Sequence, residues 1–564
     1  MGVAPRSTVM KKLFYIIALA ATLAGVSALA ATPAAARKDD FARKLRTFNS
    51  IVKELQVNYV DTLDANDIMD KTIGALLYQI DPYTEYYPAG DQDELLSISQ
   101  GQYAGIGSTI VKRGNEVLVS EPQWESPARL TGLRPGDVIL AVDGDTVRPS
   151  TQIGDVSRRL RGQAGTIVHV DVRRPYVQDS LLSFDITRAD IKVNPLPYYG
   201  VDKDGTGFIR LTTFNESSAR HVKDAVADML RNPALKGIVL DLRGNGGGLL
   251  ESAVQIVGNF VPKGTEVVRT RGRDRRGEKV YKTTRQPLDA NIPLVVLTDD
   301  GTASASEIVA GSLQDLDRAV IVGQRSFGKG LVQTTRPLPF DDIMKLTTGR
   351  YYIPSGRLIQ ALDYSHRNPD GTPARTPDSL TNEFRTRAGR VVRDGGGITP
   401  DVTVETKEMN RLIYNIIADM WAFDYANRYY AAHPDAVPLA DFRITDSIFD
   451  DFKAFIDPAR FKYDRQCESA LDYLRTAARN EGYMTDSVAA QFDILSAMLK
   501  HDLDHDLNIN REDIMDILRD EIAGRYYGDA DRVLITLPGD STYLRAAAII
   551  ADPAEYKRLL TPAK

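Results

Sequence analysis

The sequence predicts a multidomain α/β protein: an α/β core, a small β-barrel inserted ahead of it, and mainly helical segments at both ends. Three observations carry that reading. Strand and helix patterns alternate from residue 195 to about 404, short β-runs with turns fill 100 to about 190, and helical spacing dominates on either side. At 564 residues the chain is too long for one core, so about three or four domains are expected. A hydrophobic share of 43% with 26% charged residues excludes wholesale disorder. The formal charge of -6, with no long basic run after the N-terminus, gives no footprint for nucleic acid. Cys467 is the only cysteine, which leaves no internal disulfide and no cysteine-based metal cage.

Residues 1–30 read as a signal peptide. Met10-Lys11-Lys12 opens a basic region, Leu13 to Leu23 is apolar, and Ala28-Leu29-Ala30 fits a small-x-small cleavage site. The mature chain is then expected to start near Ala31 and to work in the periplasm or cell envelope, an uncleaved anchor being the alternative. Residues 38–95 form an N-terminal helical segment: Phe48, Ile51, Val52, Leu55 and Tyr59 fall at helical spacing, as do Ile68, Ile73, Leu76, Leu77 and Ile80. Asp81-Pro82 stops it.

Residues 96–190 change to β. Ser108 to Val111 and Val117 to Val119 flank the turn Arg113-Gly114-Asn115, and strands are expected at Val138 to Val142, Val168 to Val172 and Ser183 to Ile186. Short helices are expected from Pro127 to Leu133 and near Ile153 to Leu160. With the loop Tyr103-Ala104-Gly105-Ile106-Gly107, the segment resembles a PDZ domain. Tyr103, Gly105, Ile106 and Gly107 would then bind a peptide, backbone N–H groups holding its C-terminal carboxylate while it adds as a strand. The plainer reading is a β-rich spacer.

Residues 195–404 form the core, with Gly237 to Leu242 a buried strand, Leu249 to Phe260 a helix, and strands at Leu294 to Leu297, Ala319 to Val322 and Leu331 to Thr335. Residues 405–564 read as a largely helical region, for example Arg411 to Tyr430, without a chemical motif.

The chemistry concentrates in Gly301-Thr302-Ala303-Ser304-Ala305-Ser306-Glu307 and in Phe327-Gly328-Lys329-Gly330 with Gln333. A serine nucleophile needs a base, and none of the six histidines lies beside a serine in hydrolase-like surroundings. A lysine held neutral in a glycine-lined site can serve instead, which makes Ser304 and Lys329 the candidate pair. Ser304 and Glu307 also have the spacing of a capping box, and spacing alone favours the cap. Free N–H groups at a helix start suit an oxyanion, that of Ala305 being nearest. Gly323-x-x-x-x-Gly328-Lys329 fails as a phosphate loop, because Gly330 stands where Ser/Thr is needed and a strand follows instead of a helix. The glycines in Asp241-Leu242-Arg243-Gly244-Asn245-Gly246-Gly247-Gly248 exceed what a turn requires and favour a backbone donor role. Asp502, Asp504 and Asp506 lack the glycine and the closing glutamate of a calcium loop, and no metal or other cofactor is expected.

Together these motifs resemble the carboxy-terminal processing (tail-specific) proteases, over about residues 40 to 404. Tyr351-Tyr352-x-Pro354-Ser355-Gly356 and Gly397-Ile398-x-Pro400-Asp401 follow in the family order. The resemblance implies Ser304 as nucleophile, Lys329 as general base, Gln333 orienting the lysine, and Ala305 with Gly247 or Gly248 supplying oxyanion N–H groups. It implies a crotonase-like (ClpP/crotonase) α/β core with an inserted PDZ domain, and Arg161 as a candidate regulatory contact. Partners implied are protein or peptide substrates bound by their C-termini, with a homodimer and an adaptor protein left open. A non-catalytic PDZ scaffold that delivers clients to a partner is the competing function. The insertion from Asp363 to Asp394 and the region after 405 lie outside the shared motifs.

Overall fold

Helical spacing in the first hundred residues produces two helices, α1 (Pro33–Asn58) and α2 (Ala65–Tyr78). The computed structural model describes residues 33–89, 92, 101–274, 277–405 and 409–562, so the expected signal peptide lies outside the described residues. The chain divides into two units, one ending at Tyr86 and one beginning at Tyr87. In the first, the Asp64 carboxylate caps α2 by accepting the N–H groups of Asn66 (2.8 Å) and Asp67 (3.3 Å). Asp81 then makes the closing turn, accepting the N–H groups of Tyr83 and Thr84 at 2.8 Å each. Only Leu77 of α2 is buried, while Phe41, Leu45, Ile51, Leu55 and Leu76 stay exposed. Among the described residues no helix is long and apolar enough to cross a membrane.

In the second unit, the strands β1 (Gln102–Gly105), β2 (Ser108–Arg113), β3 (Glu116–Pro122), β4 (Val138–Val142), β5 (Ile167–Arg173), β6 (Leu181–Thr187) and β7 (Ala189–Lys192) build the β-module. The order β2-β3-β4-β5-β6 is antiparallel throughout, and β1 pairs with β7. Alternation sets which face is inside: Val168, Val170 and Val172 of β5 are buried while their neighbours are not. They pack with Val117, Val119, Ile139, Val142 and Ile186, and with Val156 and Leu160 of α4 (Ile153–Leu160). The preceding helix α3 (Pro127–Thr131) starts on a Ser126 cap with Pro127 in its first turn.

The core sheet has six strands in the order β8 (Tyr198–Val201), β9 (Thr206–Arg210), β10 (Gly237–Asp241), β13 (Leu294–Thr298), β14 (Val320–Gly323), β17 (Val402–Thr403). The pair β8/β9 is antiparallel and the rest are parallel. Every residue of β10 and β13 is buried, so the sheet needs a layer on each face. On one face Ile209, Ile238, Leu240, Val296 and Ile321 meet the helices α5 (Ser218–Met229), α6 (Leu250–Val257) and α7 (Ala305–Asp315). On the other, Phe208, Val239, Val295, Leu297, Val320 and Val322 meet Tyr543, Ala546, Ile549 and Ile550 of a late helix, Ser541–Ala551. A second, antiparallel set runs β15 (Leu331–Pro337), β16 (Ile343–Tyr352), β11 (Glu266–Gly272), β12 (Lys279–Lys282).

This corrects the expected core. It is a mixed α/β fold with helical regions at both ends and not a crotonase-like unit. A sheet apolar on both faces takes its second layer from residues beyond 540, and an antiparallel sheet carries part of the site. The insertion forms two hairpins, Leu362–Arg367 with Pro373–Arg375 and Glu383–Arg385 with Val391–Arg393. The buried Arg390 guanidinium pins the second to Asp317 (2.6 Å), Asp401 (2.5 Å) and the Gln314 carbonyl (2.9 Å).

The helix expected from Arg411 to Tyr430 is two, Arg411–Ala418 and Trp421–Ala432, because Met420 turns left-handed at φ 62°. The break lets Tyr425 and Ala426 join a separate helical core with Ile416, Phe449, Phe452, Leu518 and Ile522. That helical body rests on the β-module. Phe423 packs on Leu118 and Val138, Asp424 accepts both its oxygens' bonds from Arg113 at 2.9 Å, and Arg129 donates to the Arg525 carbonyl at 3.0 Å.

Candidate active site

The strand β13 ends at Thr298 and the helix α7 begins at Ala305, so Ser304 occupies the N-cap. Its backbone is at φ 56°, ψ -114°, a conformation that costs a non-glycine residue about 1–3 kcal/mol and persists only when its surroundings impose it. The surroundings do. The Thr302 hydroxyl donates to the Leu242 carbonyl at 3.0 Å, the Ala303 N–H donates to the Asn245 carbonyl at 3.0 Å, and the Ser306 hydroxyl reaches the same carbonyl at 2.8 Å. These bonds lock the serine loop against the glycine run.

Lys329 arrives on the loop between β14 and β15. Glu307 joins it to Ser304. One oxygen of the fully buried carboxylate accepts the N–H groups of Ser304 and Lys329, both at 2.8 Å. The other accepts the Gly328 N–H (2.8 Å) and the Ser326 hydroxyl (2.5 Å). Ser326 in turn accepts the Ile398 N–H at 2.6 Å, so Gly397-Ile398 buttresses the lysine loop. Burial pushes the Glu307 carboxyl up to about 7, against the pull of those four donors. Gln333, on β15 just after the Lys329 loop, donates its side-chain amide to the Thr347 hydroxyl at 3.2 Å.

The oxyanion candidates separate on their partners. The Gly247 N–H is already donated to the Asn245 side-chain oxygen at 2.9 Å. Those of Gly248 and Ala305 have no acceptor among the described residues. Gly247 is instead a close-approach residue: a Cβ there would lie 2.9 Å from both Ser304 Cβ and Ala305 N, at φ 101°. The run is anchored by Asp241, whose side chain is wholly buried and takes Arg243 at 2.9 and 2.8 Å. Burial works against its ionisation, and Arg243 and Arg210 overcome that and hold the carboxyl low. Arg243 continues to Asp540 at 3.0 Å, which caps Ser541–Ala551. The late helix is thereby tied to the edge of the site.

At the β-module, the Ile106 and Gly107 carbonyls are occupied by the N–H groups of Ala128 and Gln123 at 2.9 Å each. Their own N–H groups have no protein acceptor among the described residues. Tyr103 and Gly105 line the same loop, and the Arg161 guanidinium lies 5.5 Å from the Tyr103 ring centroid. Burial raises the Tyr103 hydroxyl and Arg161 opposes it. The structure therefore places Arg161 beside the Tyr103 end of this loop. From its spacing Glu307 reads as a helix cap alone; its second half, the bonds to the lysine loop, has no signature in the sequence.

Residues 205–365 match the family model of peptidase family S41, 118–174 a PDZ domain model, and 412–550 a C-terminal helical domain model of PDZ-proteases. A carboxy-terminal-processing protease of Bartonella bacilliformis is 35% identical over 323 residues, covering 57% of this chain and 73% of its own. The chain belongs to the carboxy-terminal processing protease family. Carboxy-terminal processing protease CtpA of Bacillus subtilis is 30% identical over 360 residues, covering 62% of this chain and 74% of that one. Among solved structures, the photosystem II D1 C-terminal processing protease matches at 27% identity and a TM-score of 0.35, over 64% of this chain and 87% of that one. Family membership makes the protein a serine-type endopeptidase with a PDZ domain, and its core an S41 peptidase core in place of the crotonase-like one expected.

Proposed function

We propose that the chain cleaves proteins whose C-termini its PDZ domain holds, with Ser304 as nucleophile and Lys329 as general base. The observation that carries this is the Glu307 carboxylate, which fixes the backbones of both residues through one oxygen beside a strained, half-buried Ser304. Neutral Lys329 takes the Ser304 hydroxyl proton as the oxygen attacks the scissile carbonyl. The oxyanion is received by the N–H groups of Ala305 and Gly248, the two that are uncommitted. The lysine ammonium then protonates the leaving amine, and Lys329, neutral again, takes a proton from the water that attacks the acyl-enzyme and returns it to Ser304 as the acyl group leaves. Gln333 orients the lysine from the start of β15 through its side-chain oxygen, the amide nitrogen being engaged by Thr347.

The Ile106 and Gly107 N–H groups receive the substrate carboxylate, and Arg161 and Tyr103 flank it. The exposed apolar residues of α1 and α2 support self-association through the N-terminal helices, and the N-terminal sequence supports export to the periplasm or cell envelope. An inert scaffold has no use for the Ser304–Glu307–Lys329 connection. Ser304→Ala should lose turnover by at least ~10³-fold with its fold intact. Proteolysis retained by a clean preparation of that variant would remove the assignment.

A further inference from the structure

Tyr351 lies on β16, in the antiparallel sheet, with its side chain 1% exposed. Its hydroxyl stands 3.1 Å from the Ser304 carbonyl and hydrogen-bonds the Lys329 carbonyl. Its own backbone N–H donates to the Gly330 carbonyl at 3.0 Å. One phenol thus contacts the main chain of both residues of the dyad. Glu307 accepts the N–H groups of Ser304 and Lys329, and Tyr351 shares its one hydroxyl proton between their carbonyls.

The consequence follows from peptide planarity. In a trans peptide the carbonyl and the next N–H point in opposite directions. Holding the Ser304 carbonyl therefore aims the N–H of Ala305 the other way, out of the helix start where an oxyanion forms. That carbonyl also takes the Ile308 N–H at 2.9 Å as the first bond of α7, so Tyr351 adds a second restraint at the point where the helix gives way to a strained residue. The peptide after Lys329 is restrained at both ends, its carbonyl by Tyr351 and its N–H, on Gly330, by the Gln360 side chain at 2.7 Å.

We propose that Tyr351 is a positioning residue for the reaction: its hydroxyl sets the separation of Ser304 and Lys329 and the direction of the Ala305 N–H, without touching substrate. This rests on the Ser304–Lys329 reading. Tyr351→Phe removes the hydroxyl and keeps the ring that fills the core. One lost hydrogen bond of ordinary strength corresponds to about tenfold in rate. Expected, then, is a kcat lower by ~10-fold, with KM within about twofold and a melting temperature within a few degrees of wild type. Wild-type kcat, or a loss of activity carried by KM alone, or a loss matched by the fraction unfolded, would overturn the role. If Tyr351→Phe melts early, the comparison is made at a temperature where circular dichroism reports both proteins fully folded. Ser304→Ala run in parallel separates the two levels: turnover retained there overturns the dyad and this role with it, whereas turnover lost there beside a normal Tyr351→Phe overturns Tyr351 alone.

Discussion

At the scale of single residues, Glu307 carries the most unusual electrostatics. Its carboxyl is raised from 4.5 to about 7, chiefly by burial, while four hydrogen-bond donors point at it. A folded value above the unfolded one means that its contribution to stability is full below about 4.5 and is lost as pH rises through about 7. Activity runs the other way, since only the carboxylate can accept all four donors. Turnover should therefore fall as pH drops through about 7, while the protein gains stability from this group. Glu307→Gln should abolish that part of the stability–pH slope, and it should cost at least ~10-fold in kcat because an amide N–H would face buried donors. Urea midpoints from pH 4.5 to 8 for both proteins check this; identical slopes would mean that Glu307 does not titrate in this range. The dual role was hidden in the sequence because Ser-x-x-Glu at a helix start has a sufficient local explanation. Which of the Gly247 and Gly248 N–H groups is uncommitted is equally hidden, since it turns on where the Asn245 side chain reaches.

Among elements, the β-module was the most legible. The turn at Arg113-Gly114-Asn115 and the alternation in β5 follow from local chemistry, and the structure has both. Elements set by distant packing were less so. The segment from Arg411 to Tyr430 reads as helical throughout, and the break at Met420 accompanies the packing of Tyr425 against Phe452, a contact between residues distant in sequence. The loop Gly105-Ile106-Gly107 supplies the prediction at this scale. Uncommitted N–H groups at Ile106 and Gly107 should bind a terminal carboxylate, and amidation removes its charge. A peptide with an apolar, free C-terminus should bind Ser304→Ala several-fold more tightly than its amidated form. Equal affinities by titration calorimetry would show that the loop does not read chain ends.

For the whole molecule, the region after residue 405 is part of the working fold. Its first helices grip the PDZ domain through Phe423 and the Arg113–Asp424 pair, and Ser541–Ala551 covers the core sheet. The sequence marks Gly237 to Leu242 as a buried strand but gives no sign of which segment covers the sheet's second face. Ile549 is fully buried there, so Ile549→Ala should destabilise the protein by about 2–5 kcal/mol. A shift below ~0.5 kcal/mol in chemical unfolding would mean that this helix does not close the core.

The claim on which the rest depends is that Ser304 attacks with Lys329 as its base. The rate at which a fluorophosphonate modifies the protein, with the modified residue mapped by mass spectrometry, tests it in one measurement. In wild type the adduct should sit on Ser304. In Lys329→Arg, which keeps the charge but cannot give up its proton, the rate should fall by at least ~10²-fold in a folded protein. An adduct on another serine, or an undiminished rate in Lys329→Arg, would contradict the account.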